Sequence, residues 1–129
     1  MTNSIKQRRV VVTGYGSVTP MGMTAQQSWA AIMDYQFVYR YYDISEQGIK
    51  SRFFGLLDAE PNLKAVPAAI RRRLPRYARL ALAAAREAMA MAFAEKSPAD
   101  YYDLLDCGTI IGSGWAGQDE THDNYEVYL

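Results

Sequence analysis

Residues 80–94 read LALAAAREAMAMAFA, and this stretch decides the fold class. Eight alanines lie between Ala81 and Ala94, and leucine, methionine and phenylalanine fill most of the remaining positions, so a helix here is apolar on nearly every side. With 15 residues and a charged Arg86–Glu87 pair, the stretch is too short and too polar to cross a bilayer. We therefore expect a long helix buried between layers of a soluble protein.

Prolines mark the boundaries of this helical region. Pro67 is a favourable first-turn residue, whereas Pro75 removes a backbone donor and predicts a break. The sequence therefore predicts a short basic helix after Pro67, then a long helix to about Ala94. The turn at 97–99 is expected to end the long helix.

Two apolar segments each end in a pair of glycines. The run RVVVT at 9–13 precedes Gly14-Tyr15-Gly16, and Thr109–Ile111 precedes Gly112-Ser113-Gly114. Uninterrupted β-branched runs are typical of strands buried on both faces of a parallel sheet. Because helices are predicted between them, we expect an α/β fold with a parallel sheet.

The first helix has a clear start signal. Thr24 and Gln27 form a capping-box pattern, which predicts a helix from Ala25 to Met33. Glycines and prolines punctuate residues 34–66, so this part is expected to be a structured loop with one short strand at 52–57.

At the other end of the chain, carboxylates favour the start of a further helix, because the N-terminal end of a helix is electrically positive. They are Asp119, Glu120 and Asp123. Two strong strands are too few to cover a wholly apolar helix. We therefore expect the 129 residues to be the front part of a longer polypeptide.

Charge is balanced overall but not along the chain. Fourteen basic and fourteen acidic residues give a net charge of zero, which excludes a global attraction to nucleic acid or to an anionic membrane. Residues 1–80 hold twelve basic and five acidic side chains, whereas residues 81–129 hold two and nine. A charge-driven partner is thus expected to contact one half only.

The single cysteine and single histidine exclude several kinds of site. Cys107 cannot form an internal disulfide or a zinc site built on cysteine pairs, and neighbouring Asp106 disfavours its thiolate. His122 has no second histidine to share a metal ion. Since the N-terminus also lacks a secretory signal, we expect a cytoplasmic protein without metal or cofactor.

The first glycine pair does not fit a nucleotide site. Gly14-x-Gly16 after a strand resembles a dinucleotide fingerprint, but Thr19 occupies the third glycine position and Pro20 follows it. The helix begins only near Ala25, so its N-terminus cannot hold a pyrophosphate. These glycines are expected to permit a tight exit from the strand instead.

Five arginines fall within nine residues, with no acid among them: Arg71, Arg72, Arg73, Arg76 and Arg79. The spacing lets several guanidinium groups point outward together. Either this is a solvated face or it recognises anions, because arginine binds carboxylates and phosphates through two parallel hydrogen bonds.

Taken together, five segments resemble the β-ketoacyl-acyl carrier protein synthases, the condensing enzymes. They are RRVVVTGYGSVTPMG at 8–22, the helix with Trp29, Ser51–Gly55, the arginines at 71–73 before the alanine-rich helix, and IIGSGWAG at 110–117. The resemblance implies that residues 1–129 are an incomplete N-terminal ketosynthase domain, with no second domain. Its fold would be part of the first half of a thiolase-like fold, with layers of helices and a mixed sheet.

The resemblance also implies a reaction. An acyl chain passes from its carrier to a cysteine, malonyl-carrier loses carbon dioxide, and the resulting carbanion attacks the thioester, in fatty-acid or polyketide synthesis. The family's nucleophile and its two histidines lie beyond Leu129, and Cys107 matches neither the nucleophile's context nor its position. No catalytic residue is carried over, and the 129 residues alone are expected to be inactive. The alternative is a noncatalytic ketosynthase-like partner, such as a chain-length-factor-type subunit.

Two site assignments follow from the family's motifs. Arg72 and Arg73 match a basic pair that faces acyl carrier protein, although Leu74-Pro75 replaces the family's Met-Asp. Trp115 matches a position at the bottom of the acyl pocket that is commonly a smaller aliphatic residue, which implies a shorter cavity. The alternative is a tryptophan turned into the core.

Two further expectations come from the same resemblance. Residues 34–38 read DYQFV where the family usually has a small turn containing glycine or serine, which indicates an atypical member. The complete enzyme is expected to be a homodimer or a heterodimer.

Overall fold

The computed structural model describes residues 9–115, 117, 118, 121, 122 and 125; besides short 3₁₀ turns, its elements with complete bounds are three α-helices and two short strands. In chain order they are α1 (Ala25–Met33), β1 (Tyr39–Tyr41), β2 (Phe53–Gly55), α2 (Ala68–Arg71) and α3 (Arg76–Phe93). The helix predicted from Asp119, Glu120 and Asp123 rests on residues outside this described part. The α/β composition that the sequence predicts is confirmed.

The two strands form an antiparallel pair. Tyr39 lies opposite Gly55 and Tyr41 opposite Phe53, whose rings meet edge to face at 5.7 Å. The short strand predicted at 52–57 is confirmed over 53–55. The expected parallel sheet is wrong for the described residues, because the sheet they form joins neighbours in the chain through a hairpin, which only antiparallel strands allow.

Neither of the predicted buried strands forms. Residues 9–13 and 109–111 are irregular, and Val10 and Ile110 are 92% and 101% exposed. A strand that is buried on both faces needs ladder partners and covering layers. Among the described residues, no strand pairs with either segment.

Helix α1 begins and ends as the sequence predicts, with both capping side chains engaged. The Thr24 hydroxyl accepts a hydrogen bond from the Gln27 amide at 3.1 Å, and the Gln27 side chain accepts one from the Met23 amide at 2.9 Å. The first bond satisfies a donor that the first turn leaves free, and the second fixes the residue that precedes the N-cap.

Helix α1 ends at a residue whose backbone adopts the left-handed conformation. The Tyr35 amide donates to the carbonyl of Ile32 at 3.1 Å, and the Gln36 amide donates to that of Ala31 at 2.9 Å. Tyr35 has a φ of 53°. This is the hydrogen-bond pattern that usually places glycine at the left-handed position.

Pro75 separates α2 from α3, as the sequence predicts. Helix α3 is 18 residues long, but none of its residues is buried, and Met89 and Met91 are 42% and 49% exposed. The expectation of burial on all sides is therefore wrong here, because the described segments cover α3 on only part of its circumference.

One described segment that packs closely against α3 is the first glycine loop, residues 14–17. A Cβ added at Gly14 would lie 2.1 Å from the carbonyl oxygen of Ala88, and one at Gly16 would lie 2.1 Å from that of Ala84. Two backbones approach so closely only where glycine stands. The glycine pair therefore serves packing against α3.

Glu87 ties the same region together. Its carboxylate accepts hydrogen bonds from the Ser17 amide at 3.0 Å and from the Ala25 amide at 2.9 Å. Ala25 is the first residue of α1, where a carboxylate also favours the helix dipole. One side chain of α3 thus fixes both the glycine loop and the start of α1.

Buried side chains are few in the described part of the chain: Ser28, Ala31, Leu63 and Val66. The first two lie on the inner face of α1, and the other two hold the loop before α2. None of the described helices combines the length and hydropathy that a membrane span needs.

Candidate functional site

The arginine-rich segment occupies the turn between α2 and α3. Arg71 is the last residue of α2 and Arg72 is its C-cap, and both Arg72 and Arg73 are exposed. The Arg73 amide donates to the carbonyl of Ile70 at 2.9 Å, which fixes the backbone of the turn. The predicted basic pair is therefore presented to solvent by an ordered backbone.

Two of the five arginines do not point outward freely. The Nε of Arg76 lies 3.2 Å from one carboxylate oxygen of Glu60, and Nη1 of Arg79 lies 3.4 Å from the other. Arg76 also donates to the carbonyl of Leu57 at 2.6 Å. The expectation of an outward-pointing cluster without an acid is wrong for Arg76 and Arg79. The loop before α2 places Glu60, which is distant in sequence, beside both of them.

That loop, residues 60–66, is anchored rather than loosely attached. Leu63 and Val66 are 3% and 8% exposed. The Leu63 carbonyl accepts a hydrogen bond from Nη1 of Arg71 at 3.3 Å, and the Asn62 side chain accepts one from the Lys64 amide at 3.2 Å. The loop thus forms a fixed wall beside the arginines.

A cavity of about 680 Å³ lies between this wall and the two helices. Its lining residues are Glu60, Pro61, Asn62, Leu63, Lys64, Arg71, Arg72 and Arg79. Four of them are cationic and one is anionic. Sequence reasoning singled out the arginines but missed Lys64 and Glu60, since nothing in the local pattern shows that this loop folds back onto them.

Trp115 directly follows the second glycine pair. It is 79% exposed and lies in an irregular segment. Its ring is therefore not turned into the core of the described residues, which was the alternative to a pocket role.

A second, more apolar cavity of about 840 Å³ lies between the first glycine loop, α1 and α3, with Trp29, Ile32 and Met91 in its lining. Its one described carboxylate, Glu87, already accepts backbone hydrogen bonds at both oxygens. Because both oxygens of Glu87 stabilise the fold in this way, the described lining residues leave no carboxylate for acid–base chemistry in this cavity.

The hairpin carries a separate set of charged contacts. Hydrogen bonding to the Asp58 carboxylate raises the pKa of Arg40 above its usual value. Hydrogen bonds from Ser45, whose hydroxyl lies 2.6 Å from the carboxylate, lower the pKa of Asp43. Both groups are exposed, so these contacts order the surface without creating a reactive centre.

The single cysteine and the single histidine both lie at the surface. Cys107 is exposed, and its thiol lies 3.5 Å from the carbonyl oxygen of Asp103. His122 is exposed as well. Within the described residues, no cluster of three or more histidine, cysteine or carboxylate side chains is arranged to hold a metal ion.

Comparisons with known proteins agree with the family resemblance that the sequence motifs indicate. The family model described as "Beta-ketoacyl synthase, N-terminal domain" matches residues 7–128. The chain is 26% identical over 129 residues to 3-oxoacyl-(acyl-carrier-protein) synthase 2 of Synechocystis sp., and the match covers 98% of this chain but 30% of that protein. No solved structure shows a significant match. Because the family model spans nearly all of the sequence, the chain belongs to the β-ketoacyl synthase family, whose N-terminal domain it matches.

Proposed function

We propose that the chain is the N-terminal part of a β-ketoacyl-acyl carrier protein synthase that acts in fatty-acid or polyketide synthesis. The observation that carries this proposal is the family match over residues 7–128. In the complete enzyme, a cysteine takes the acyl group as a thioester. Decarboxylation of malonyl-carrier then gives a carbanion that attacks the acyl carbonyl and displaces the cysteine thiolate.

We assign no catalytic residue to these 129 residues, and we expect them to form no condensation product on their own. The test is an assay with acyl-carrier and malonyl-carrier that follows the 3-oxoacyl product by mass spectrometry. Product from the 129-residue polypeptide alone would contradict the assignment, because it would require a nucleophile within it, and Cys107→Ser would then identify it.

The part we assign to this chain is recognition of the carrier protein by Arg72 and Arg73. Both side chains are exposed, and neither forms an ion pair with any described residue. Arg76 and Arg79, in contrast, are held by Glu60. An acidic carrier protein would complement the two unpaired charges and be steered toward them.

Charge reversal tests this assignment. The double variant Arg72→Glu/Arg73→Glu should bind acyl carrier protein at least about tenfold more weakly at low ionic strength, because two attractive contacts become repulsive. Arg86→Glu/Lys96→Glu is the matched control, since it changes the net charge equally near the other end of α3. Affinity is measured by fluorescence anisotropy with labelled carrier. Equal affinity for the wild type and the arginine-pair variant would exclude the assignment.

For Trp115 we propose a role in limiting the acyl cavity. The exposed ring is available to line a cavity that the complete enzyme forms. The complete enzyme with Trp115→Ile should accept longer acyl chains than the wild type, and Trp29→Ile serves as the control for loss of an indole elsewhere. Chain length is read by mass spectrometry of the products. An unchanged product distribution in Trp115→Ile would contradict this role.

A further inference from the structure

We propose that the cavity between residues 60–66 and the two helices α2 and α3 binds a phosphate group. This site shares Arg72 with the proposed carrier surface. Arg73 does not line the cavity, and the inference does not depend on carrier recognition. The ligand class is the phosphate dianion, either free or as the phosphomonoester of a small organic molecule.

The charges around the cavity favour a dianion. Lys64 and Arg71 line it together with Arg72 and Arg79, and Glu60 is the sole carboxylate among its lining residues. A doubly charged ligand offsets more of this positive excess than a single carboxylate does. Its three terminal oxygens also offer acceptors to several guanidinium groups at once.

One donor in this site lacks a partner. The Nε atom of Arg79 is buried and has no hydrogen-bond acceptor, although the side chain as a whole remains 33% exposed. A buried donor without an acceptor is unusual in folded proteins. Arg79 therefore retains hydrogen-bonding capacity at this site that no described residue uses.

The surrounding groups are held in place before any ligand arrives. Nη1 of Arg71 is bound to the Leu63 carbonyl at 3.3 Å, and Nη1 of Arg79 lies 3.4 Å from Glu60. Leu63 itself is 3% exposed. Fixed donors lose less side-chain entropy on binding, which favours a small ligand.

Glu60 competes with the ligand for the same cations. It occupies Arg76 and Arg79, so an incoming phosphate must share Arg79 with it and faces its negative charge. Replacing the carboxylate by an amide removes this repulsion. Glu60→Gln should therefore bind phosphate more tightly, an outcome that a purely structural role of Glu60 does not produce.

The size of the cavity also bears on the ligand. At about 680 Å³ it falls within the range of sites for small organic ligands and exceeds the volume of one phosphate ion. The experiment therefore compares inorganic phosphate with glycerol 3-phosphate. Equal affinity identifies free phosphate as sufficient, and tighter binding of the ester identifies a phosphorylated organic molecule.

The test is isothermal titration calorimetry at low ionic strength and mildly alkaline pH. We expect Arg79→Gln to weaken binding of both probes roughly tenfold, because charge-assisted hydrogen bonds are lost. Lys64→Gln should weaken it several-fold, and since Lys64 is exposed, this variant tests the site even where Arg79→Gln fails to fold. Arg73→Gln is the matched control, with the same charge change just outside the cavity, and should bind as the wild type does.

Two results would overturn the proposal. One is the absence of binding of either probe at millimolar concentration to a wild-type protein whose circular dichroism shows it to be folded. The other is an equal loss of affinity in Arg73→Gln and Lys64→Gln, which would indicate diffuse attraction to the arginine-rich turn rather than a site.

Discussion

The two apolar segments that end in glycine pairs look alike in sequence but differ in the structure. Gly14 and Gly16 lie directly against the backbone of α3, where an added Cβ would meet carbonyl oxygens at 2.1 Å. Around Gly112 and Gly114, no described atom lies within 4 Å of such a Cβ. The same local pattern therefore serves close packing in one place and leaves open space in the other.

The two glycine pairs differ in the residues that pack against them. At the first pair, small alanines of α3 and the side chain of Glu87 complete the contact, and the next residue, Ser17, donates its amide to that carboxylate at 3.0 Å. At the second pair, the described residues supply no such partner. A glycine's role is thus set by the element that faces it.

The largest expected effect comes from filling the close contact. Gly16→Ala should lower the free energy of unfolding by roughly 3 kcal/mol, because the new methyl group overlaps backbone atoms of α3 that cannot move alone. Gly112→Ala is the matched control and should change it by less than about 0.5 kcal/mol. Urea denaturation followed by circular dichroism measures both. Equal losses in the two variants would remove the distinction between the glycine pairs.

A smaller loss is expected when the carboxylate that joins the loop to α1 is neutralised. Glu87→Gln leaves the amides of Ser17 and Ala25 with a weaker acceptor, and we expect a loss of about 2 kcal/mol. The neighbouring exposed Arg86→Gln provides the control. Chemical denaturation again gives the values. A stability equal to that of the control would show that Glu87 does not hold the loop.

The smallest expected effect is an increase in the free energy of unfolding, at a position that favours glycine but holds tyrosine. Tyr35 is 94% exposed and adopts a φ of 53°, which L residues disfavour. Tyr35→Gly should raise the free energy of unfolding by about 1 kcal/mol, since the ring has little burial to lose. Tyr101→Gly, at an exposed tyrosine with negative φ, should not stabilise. A thermal melt separates the two outcomes, and a lower melting temperature for Tyr35→Gly would contradict the account.

Tyr35 occupies a backbone position that usually favours glycine. Residues 34–38 read DYQFV, and the structure places Tyr35 at the left-handed position of the α1 C-terminus. The chain thus closes this helix with a residue less suited to the turn.

Local signals in the sequence predicted local structure well. The cap formed by Thr24 and Gln27, the break at Pro75 and the end of α3 near Ala94 were all predictable, because each depends on neighbouring residues. The burial of α3 and the strands at 9–13 and 109–111 were not, because each depends on distant segments that must pair with it or cover it. The pairing of β1 with β2 was missed for the same reason.

The candidate site shows the same division. The arginines were visible as a run, and their link to the family depended on motif order. The ion pairs of Glu60 with Arg76 and Arg79 depend on a loop that Leu63 and Val66 anchor. No short-range sequence pattern reveals how this loop folds. The cavity and its unpartnered Arg79 nitrogen follow from that loop.

The proposed contact of Arg72 and Arg73 with acyl carrier protein is tested most directly by site-specific photocrosslinking. A benzophenone side chain at position 73 should form a covalent adduct with acyl carrier protein under illumination, and the adduct should diminish at high salt because the attraction is screened. The same group at position 86 should form little adduct. Absence of an adduct at position 73, or equal yields at both positions, would contradict the account.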